Sequence, residues 1–207
     1  MRKALVEALG TFFLVLVIGL AVVAPGAGAM APLAIGAILM VMIYAGGPIS
    51  GAHYNPAVTL AASLAGKCDK KEVLPYIIAQ AIGAVLASML VGFLKGAHAA
   101  SAMQPQVLHA FLVELVFTFA LAYVVLNVAT TKKAAGNSYF GLAIGFTVTA
   151  AAYAGGPISG GAFNPAVALG ITLMGLSAPA NLWIFLIANF AGGALAATVF
   201  RLTNPDT

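Results

Sequence analysis

Apolar residues run along this chain in stretches too long for the interior of a soluble domain. They cover about 4–23, 32–48, 73–94, 107–130, 139–156 and 181–202. At about 1.5 Å per helical residue, each run can cross a hydrocarbon core of about 30 Å. Two shorter apolar pieces, 55–66 and 164–175, reach only roughly 16–18 Å, half a bilayer. Both open with Asn-Pro, a favourable helix start: Asn caps free N–H groups, and Pro at the first helical position forfeits no hydrogen bond. Just before each piece stands Gly-Gly-Pro-Ile-Ser-Gly, at 46–51 and 155–160, a run expected to interrupt the helix. The pattern predicts, twice over, a full helix, a re-entrant loop and a half-helix. Irregular backbone at membrane depth is tolerated only around a buried or water-lined site, so these interruptions point to the functional centre.

The two interruptions are copies. Tyr44 to Leu60 and Tyr153 to Leu169 agree at 13 of 17 positions, at a constant offset of 109 residues. The likeness continues from Ile77–Ala87 to Leu186–Ala196 at the same offset, and Glu7 corresponds to Glu114 at offset 107. The chain therefore reads as one domain, 1–207, with repeats over about 4–94 and 107–202. Each repeat has three spans and a half-helix. Three is odd, so the second repeat enters the membrane from the opposite side. The expected fold is an all-α membrane protein with six transmembrane helices, two re-entrant half-helices and an inverted 3+3 repeat.

Charge sets the orientation. With the N-terminus in the cytoplasm, Arg2, Lys3, Lys67, Lys70, Lys71, Lys132, Lys133 and Arg201 all fall on the cytoplasmic side, and Lys95 alone falls outside. Basic connectors prefer that side, so both termini are expected there. Only 7% of the residues are charged, against 62% hydrophobic, which excludes a soluble globule. The net charge of +4 is then a topology signal and no sign of a nucleic-acid partner. Met1-Arg-Lys before the first run reads as the start of a span, with no cleavable signal evident. The single cysteine, Cys68, permits no internal disulfide.

Inverted half-helices meet near the bilayer midplane, which brings Asn55 and Asn164 together where two positive helix ends converge. That point repels cations and offers two carboxamides to a passing oxygen. Loop carbonyls, from about Ile49–His53 and Ile158–Ala162, are expected to act as acceptors on either side. The arrangement suits small neutral polar solutes, and no cofactor, metal cluster or catalytic constellation is expected.

Ser50-Gly-Ala-His-Tyr-Asn-Pro-Ala-Val58 and Ser159-Gly-Gly-Ala-Phe-Asn-Pro-Ala-Val167 resemble the two signature blocks of the aquaporin (major intrinsic protein) family. The resemblance extends from Glu7 to Arg201. It implies a right-handed helix bundle, one pore per subunit, homotetramers in the bilayer, and passive passage of water or small uncharged solutes. The pore motifs are then Asn55, Pro56, Ala57 and Asn164, Pro165, Ala166. In water-specific members an Arg follows the second motif and forms the narrowest constriction with aromatic and His neighbours. Here that position is Val167, and gapless counting puts the other filter positions at Ile35, Ala152 and Gly161. Such a filter is expected to be wide and apolar, as in members that pass ammonia, urea, glycerol or neutral metalloid acids. Its barrier to protons and cations would rest on the half-helix dipoles.

Glu7 and Glu114 are the only acidic residues within spans. A buried charge needs partners, and matched placement points to support of the re-entrant loops, with solvation near the interface as the other reading for Glu7. His53 is expected to line the cytoplasmic vestibule as a hydrogen-bonding group, with packing or capping as the other reading and a pH gate as a minor one; His98 and His109 are expected at the surface, and Tyr44 and Tyr153 are expected to line the pore or pack helices. Gly83, Ala87, Gly192, Gly193 and Ala196 form small faces for close helix approach. Within the channel class, the alternative is a pore mainly for glycerol, urea, ammonia or metalloid acids, with water secondary. A small secondary transporter is the distant alternative, since inverted repeats recur there, but it calls for ionisable coupling groups that the spans lack. A membrane enzyme is more remote. Short connectors favour a prokaryotic inner membrane.

Overall fold

The computed structural model describes residues 1–96 and 102–205. Eight α-helices are found among them: α1 (Arg2–Val22), α2 (Ala31–Ser50), α3 (Pro56–Leu64), α4 (Lys70–Lys95), α5 (Val107–Thr130), α6 (Phe140–Ser159), α7 (Pro165–Leu173) and α8 (Leu182–Thr203). Six are long and apolar enough to cross a membrane. The other two, α3 and α7, have nine residues each, about 13–14 Å of rise. They are the two half-helices.

One expectation fails. The Gly-Gly-Pro-Ile-Ser runs do not break the helix: α2 continues to Ser50 and α6 to Ser159, with Pro48 and Pro157 inside them. The irregular segments shrink to 51–54 and 160–163, and Ile49, Ser50, Ile158 and Ser159 belong to the last helical turns. Packing explains the glycines. A Cβ on Gly46 or Gly10 would overlap the Tyr54 side chain, and one on Gly155 would lie 3.0 Å from the Phe163 ring. The bare helix surface is a seat for the aromatic residue of the loop that follows. Each helix ends only where Gly51 (φ 87°) or Gly160 (φ 97°) turns left-handed, a conformation that glycine adopts without a Cβ penalty.

Small residues set the helix spacing, as expected where lipid removes the hydrophobic drive for association. Gly83 of α4 sits on the Ala8 carbonyl of α1, and a Cβ on its counterpart Gly192 of α8 would come within 2.5 Å of the Leu115 carbonyl of α5. Ala87 and Ala196 are fully buried. Between the halves, Gly36 of α2 and Gly145 of α6 lie at the same 109-residue offset, and a Cβ on either would be 2.5 Å from the other's carbonyl oxygen. Equivalent residues touching one another mark a twofold relation. The two halves are inverted copies about that contact.

Lys3 Nζ bonds Glu72 Oε1 at 2.6 Å, joining the starts of α1 and α4. Lys67 lies 5.9 Å over the Phe200 ring near the end of α8. The termini and the 65–69 connector thus share one face. Lys95 holds the opposite face, donating to Val23 O at 3.1 Å and to Pro25 O.

Candidate functional site

The loops before α3 and α7 hold unusual backbone. Ala52 (φ 51°), Tyr54 (φ 49°) and Phe163 (φ 49°) are left-handed without being glycine, and Gly161 (φ 68°) stands where the first loop has Ala52. Each such non-glycine residue costs about 1–3 kcal/mol unless its surroundings impose it. Two buried carboxylates do so. Glu7 accepts from Ser50 Oγ (2.7 Å), His53 N (2.9 Å), Tyr54 N (2.6 Å) and Gln80 Nε2 (2.8 Å). Glu114 accepts from Ser159 Oγ (2.7 Å), Ala162 N (2.9 Å) and Phe163 N (2.6 Å). Both glutamates are 0% exposed, so Glu7 is not solvated at the interface. The serines complete the turn: Ser50 Oγ accepts from Ala52 N, and Ser159 Oγ from Gly161 N, both at 3.0 Å.

The motif asparagines have two tasks each. Asn55 Oδ1 caps α3 by accepting from Ala57 N (2.8 Å) and Val58 N (3.4 Å), and Asn164 Oδ1 caps α7 through Ala166 N (2.9 Å) and Val167 N (3.4 Å). Their amide nitrogens cross to the other half: Asn55 Nδ2 donates to Phe163 O (2.9 Å), and Asn164 Nδ2 to Tyr54 O (2.8 Å). One N–H of each carboxamide is left without a partner among the described residues. Pro56 and Pro165 occupy the first helical positions, and Ala57 and Ala166 are buried. A Cβ on Gly193 would stand 2.5 Å from Ala57 O, which shows how tightly α8 holds α3. Both half-helices start at this centre and run to opposite faces, so their positive ends meet.

A cavity of about 500 Å³ passes this centre and draws its walls from both halves. Asn55, Asn164 and His53 line it, as do the four positions singled out by counting: Ile35, Ala152, Gly161 and Val167. Most of the remaining wall is aliphatic, such as Leu39, Ile43, Val125 and Ile171. Among the described residues, no Lys, Arg, Asp or Glu lines it. His53 is partly buried, with Nδ1 3.1 Å from Thr59 Oγ1 and its ring edge-on to Tyr76.

Tyr44 and Tyr153 take different places. Tyr44 Oη donates to Ser138 O and accepts from Leu142 N, whereas Tyr153 lines the cavity. His109 is exposed, and His98 lies outside the described residues. Sequence reasoning missed Gln80, which donates to both Glu7 and Thr59, and Tyr76, whose Oη donates to Ser50 O at 2.7 Å. It also missed Asn189, the counterpart of Gln80, which accepts from Thr118 Oγ1 at 3.0 Å. The available signal was a polar residue at the same repeat position of two apolar helices.

A family model, that of the major intrinsic proteins, matches residues 1–200. The chain belongs to the major intrinsic protein family. A rice (Oryza sativa subsp. japonica) protein named aquaporin NIP1-4 is 37% identical over all of this chain and 80% of its own length. A Lactiplantibacillus plantarum protein named glycerol uptake facilitator protein-like 6 is 39% identical, with all of both chains covered. Among solved structures, an aquaglyceroporin from Plasmodium falciparum superposes with a TM-score of 0.82 at 23% identity, covering 99% of this chain and 97% of its own; that likeness shows the fold. As a member of this family the protein is an integral, multi-pass membrane channel, passive toward water and small solutes, and no enzyme. The transporter and membrane-enzyme readings fall away.

Proposed function

We propose that the channel conducts water together with at least one larger neutral solute. The observation that carries this reading is the wall at Ile35, Ala152, Gly161 and Val167, which holds no charged or aromatic side chain. We assign these four residues as the selectivity filter. An apolar filter demands little hydrogen bonding from what passes, and without a fixed positive charge it leaves cation exclusion to the two converging helix ends. The name of the Lactiplantibacillus relative points to glycerol as a first candidate. The hydrogen bonds to Glu7 and Glu114 support a role in holding the loops, and the position of His53 supports a pore-lining one.

The rest follows from topology and family. Eight of the nine basic residues cluster on the face of the termini, which supports cytoplasmic termini. A homotetramer and a prokaryotic inner membrane complete the reading, the first from family membership and the second from the short connectors. Stopped-flow light scattering on proteoliposomes tests it. Both water and a solute such as glycerol, urea or ammonia should pass faster than through empty liposomes. Water flow without any of the three would reject the wide filter, and solute flow with little water would favour a solute-dedicated pore.

A further inference from the structure

The copied blocks differ at Ala52/Gly161, His53/Ala162, Tyr54/Phe163 and Thr59/Ala168, and nowhere else. Two of these exchanges belong together. His53 Nδ1 lies 3.1 Å from Thr59 Oγ1, and alanine replaces both partners in the second copy. The pair is thus peculiar to the half whose loop faces the termini.

Counting protons around Thr59 decides how the pair is arranged. Its hydroxyl has one hydrogen to give and two lone pairs to receive with. The hydrogen goes to Asn55 O at 3.0 Å. One lone pair receives Gln80 Nε2 at 3.0 Å. The same nitrogen donates to Glu7 Oε2 at 2.8 Å, and a carboxylate only accepts, so the Gln80 amide cannot be turned round. What remains for His53 is the second lone pair. All three contacts hold together only if Nδ1 carries a hydrogen; were Nδ1 bare, the single Thr59 proton would have to serve both it and Asn55 O. No carboxylate bonds the ring, because each Glu7 oxygen already holds two other donors. The imidazole is therefore neutral, and a hydrogen on Nδ1 leaves Nε2 with a free lone pair.

That lone pair is open to the cavity. Nε2 has no hydrogen-bond partner among the described residues, yet it is absent from the fully buried unpaired atoms, and His53 lines the cavity. A Cβ on Gly51 would lie 3.3 Å from Nε2, so the bare glycine keeps the approach clear. The other face of the ring is held edge-on by Tyr76. Thr59 and Gln80 are both 0% exposed, so they meet nothing in the pore themselves.

We propose that Thr59, with its other lone pair occupied by Gln80, positions His53 in the Nδ1–H form. Nε2 is then a fixed acceptor for O–H and N–H groups of water and small neutral solutes on the termini side of Asn55 and Asn164. The inference rests on the reading of His53 as a pore-lining residue. It assigns Thr59 and Gln80 as positioning residues that act through the imidazole.

Solid-state nitrogen NMR tests the arrangement in proteoliposomes of the full chain, labelled at histidine and carrying His98→Gln and His109→Gln. At neutral pH the remaining histidine should show Nδ1 protonated and Nε2 bare. Thr59→Val keeps the shape but removes the acceptor, so both tautomers should appear, and Thr59→Ser should return the single form. Water permeability should fall about threefold in Thr59→Val, within the range of one neutral hydrogen bond, and recover in Thr59→Ser. If Thr59→Val fails to assemble, the parent spectrum decides alone. Nε2 protonated in a conducting parent would overturn the inference and leave the channel reading intact. A mixed tautomer in Thr59→Val with undiminished water flow would overturn the part given to the acceptor in conduction. Bare Nε2 in a parent that passes neither water nor solute would instead overturn the channel reading, and the acceptor's role with it.

Discussion

Replacing Glu7 by alanine isolates the claim that one carboxylate sets the shape of the first pore loop. Four donors converge on it, at 2.6–2.9 Å. Ser50 Oγ and Gln80 Nε2 belong to rotatable side chains, but the backbone N–H groups of His53 and Tyr54 have no other acceptor among the described residues. Each buried N–H left unpaired costs about 1–3 kcal/mol, which gives a loss of about 2–6 kcal/mol for the pair. The left-handed strain of Ala52 and Tyr54 does not enlarge that loss, because it is present in both proteins as long as the loop keeps its shape. A loop that relaxes sheds that strain only by abandoning the shape that lines the pore. Glu7→Ala should therefore lower stability by about 4 kcal/mol, the middle of that range, and abolish water permeability above background. Glu7→Gln keeps the volume and one acceptor oxygen, so roughly half the loss is expected. Thermal aggregation of the purified protein followed by size exclusion reports the first quantity, and stopped-flow scattering the second. If Glu7→Ala kept both the parent's thermal midpoint and its permeability, the carboxylate would have no structural role and the reasoning would fail.

Three further outcomes are expected. Val167→Arg puts a long cation into an apolar section of the cavity, so glycerol and urea uptake should drop at least tenfold while water still passes; undiminished uptake would show that the constriction lies elsewhere. Within α4, Gly83→Ala should destabilise, since its Cβ meets the Ala8 carbonyl, whereas Gly92→Ala has open space around it and should be neutral or gain up to about 1 kcal/mol; equal melting of the two would contradict the close packing of α1 on α4. Burial, reinforced by Glu72, pushes the Cys68 thiol up to about 11, so only ~0.03% is thiolate at pH 7.5. Maleimide labelling should then be some hundredfold slower than for a free thiol and rise about tenfold per pH unit up to about pH 10; rapid labelling at pH 7.5 would refute the buried setting.

The repeat made much of this legible before any coordinates. Two copies of Asn-Pro-Ala, each opening a half-length apolar piece, were enough for the inverted fold and for the meeting of Asn55 and Asn164. The Gly-Gly-Pro runs misled because their glycines look like breakers in sequence, while in space they receive Tyr54 and Phe163. Tyr44 and Tyr153 sit in identical local sequence, so nothing nearby distinguishes them; Ser138 and Leu142, almost a hundred positions away, give Tyr44 its partners. Gln80 and Asn189 were visible as paired polar residues, but only the distance to Glu7 explains Gln80.

The crossed bonds at the centre have a consequence in time. Asn55 Nδ2 binds the carbonyl of Phe163, which follows it by 108 residues. A ribosome adding about 5–20 residues per second needs roughly 5–20 s to make that stretch. Through that interval the first half waits in the membrane with its central amide and the Tyr54 carbonyl unmatched, and it cannot lock until its copy arrives. Neither half is then a self-sufficient folding unit, and the last step of biogenesis is the closing of one loop upon the other.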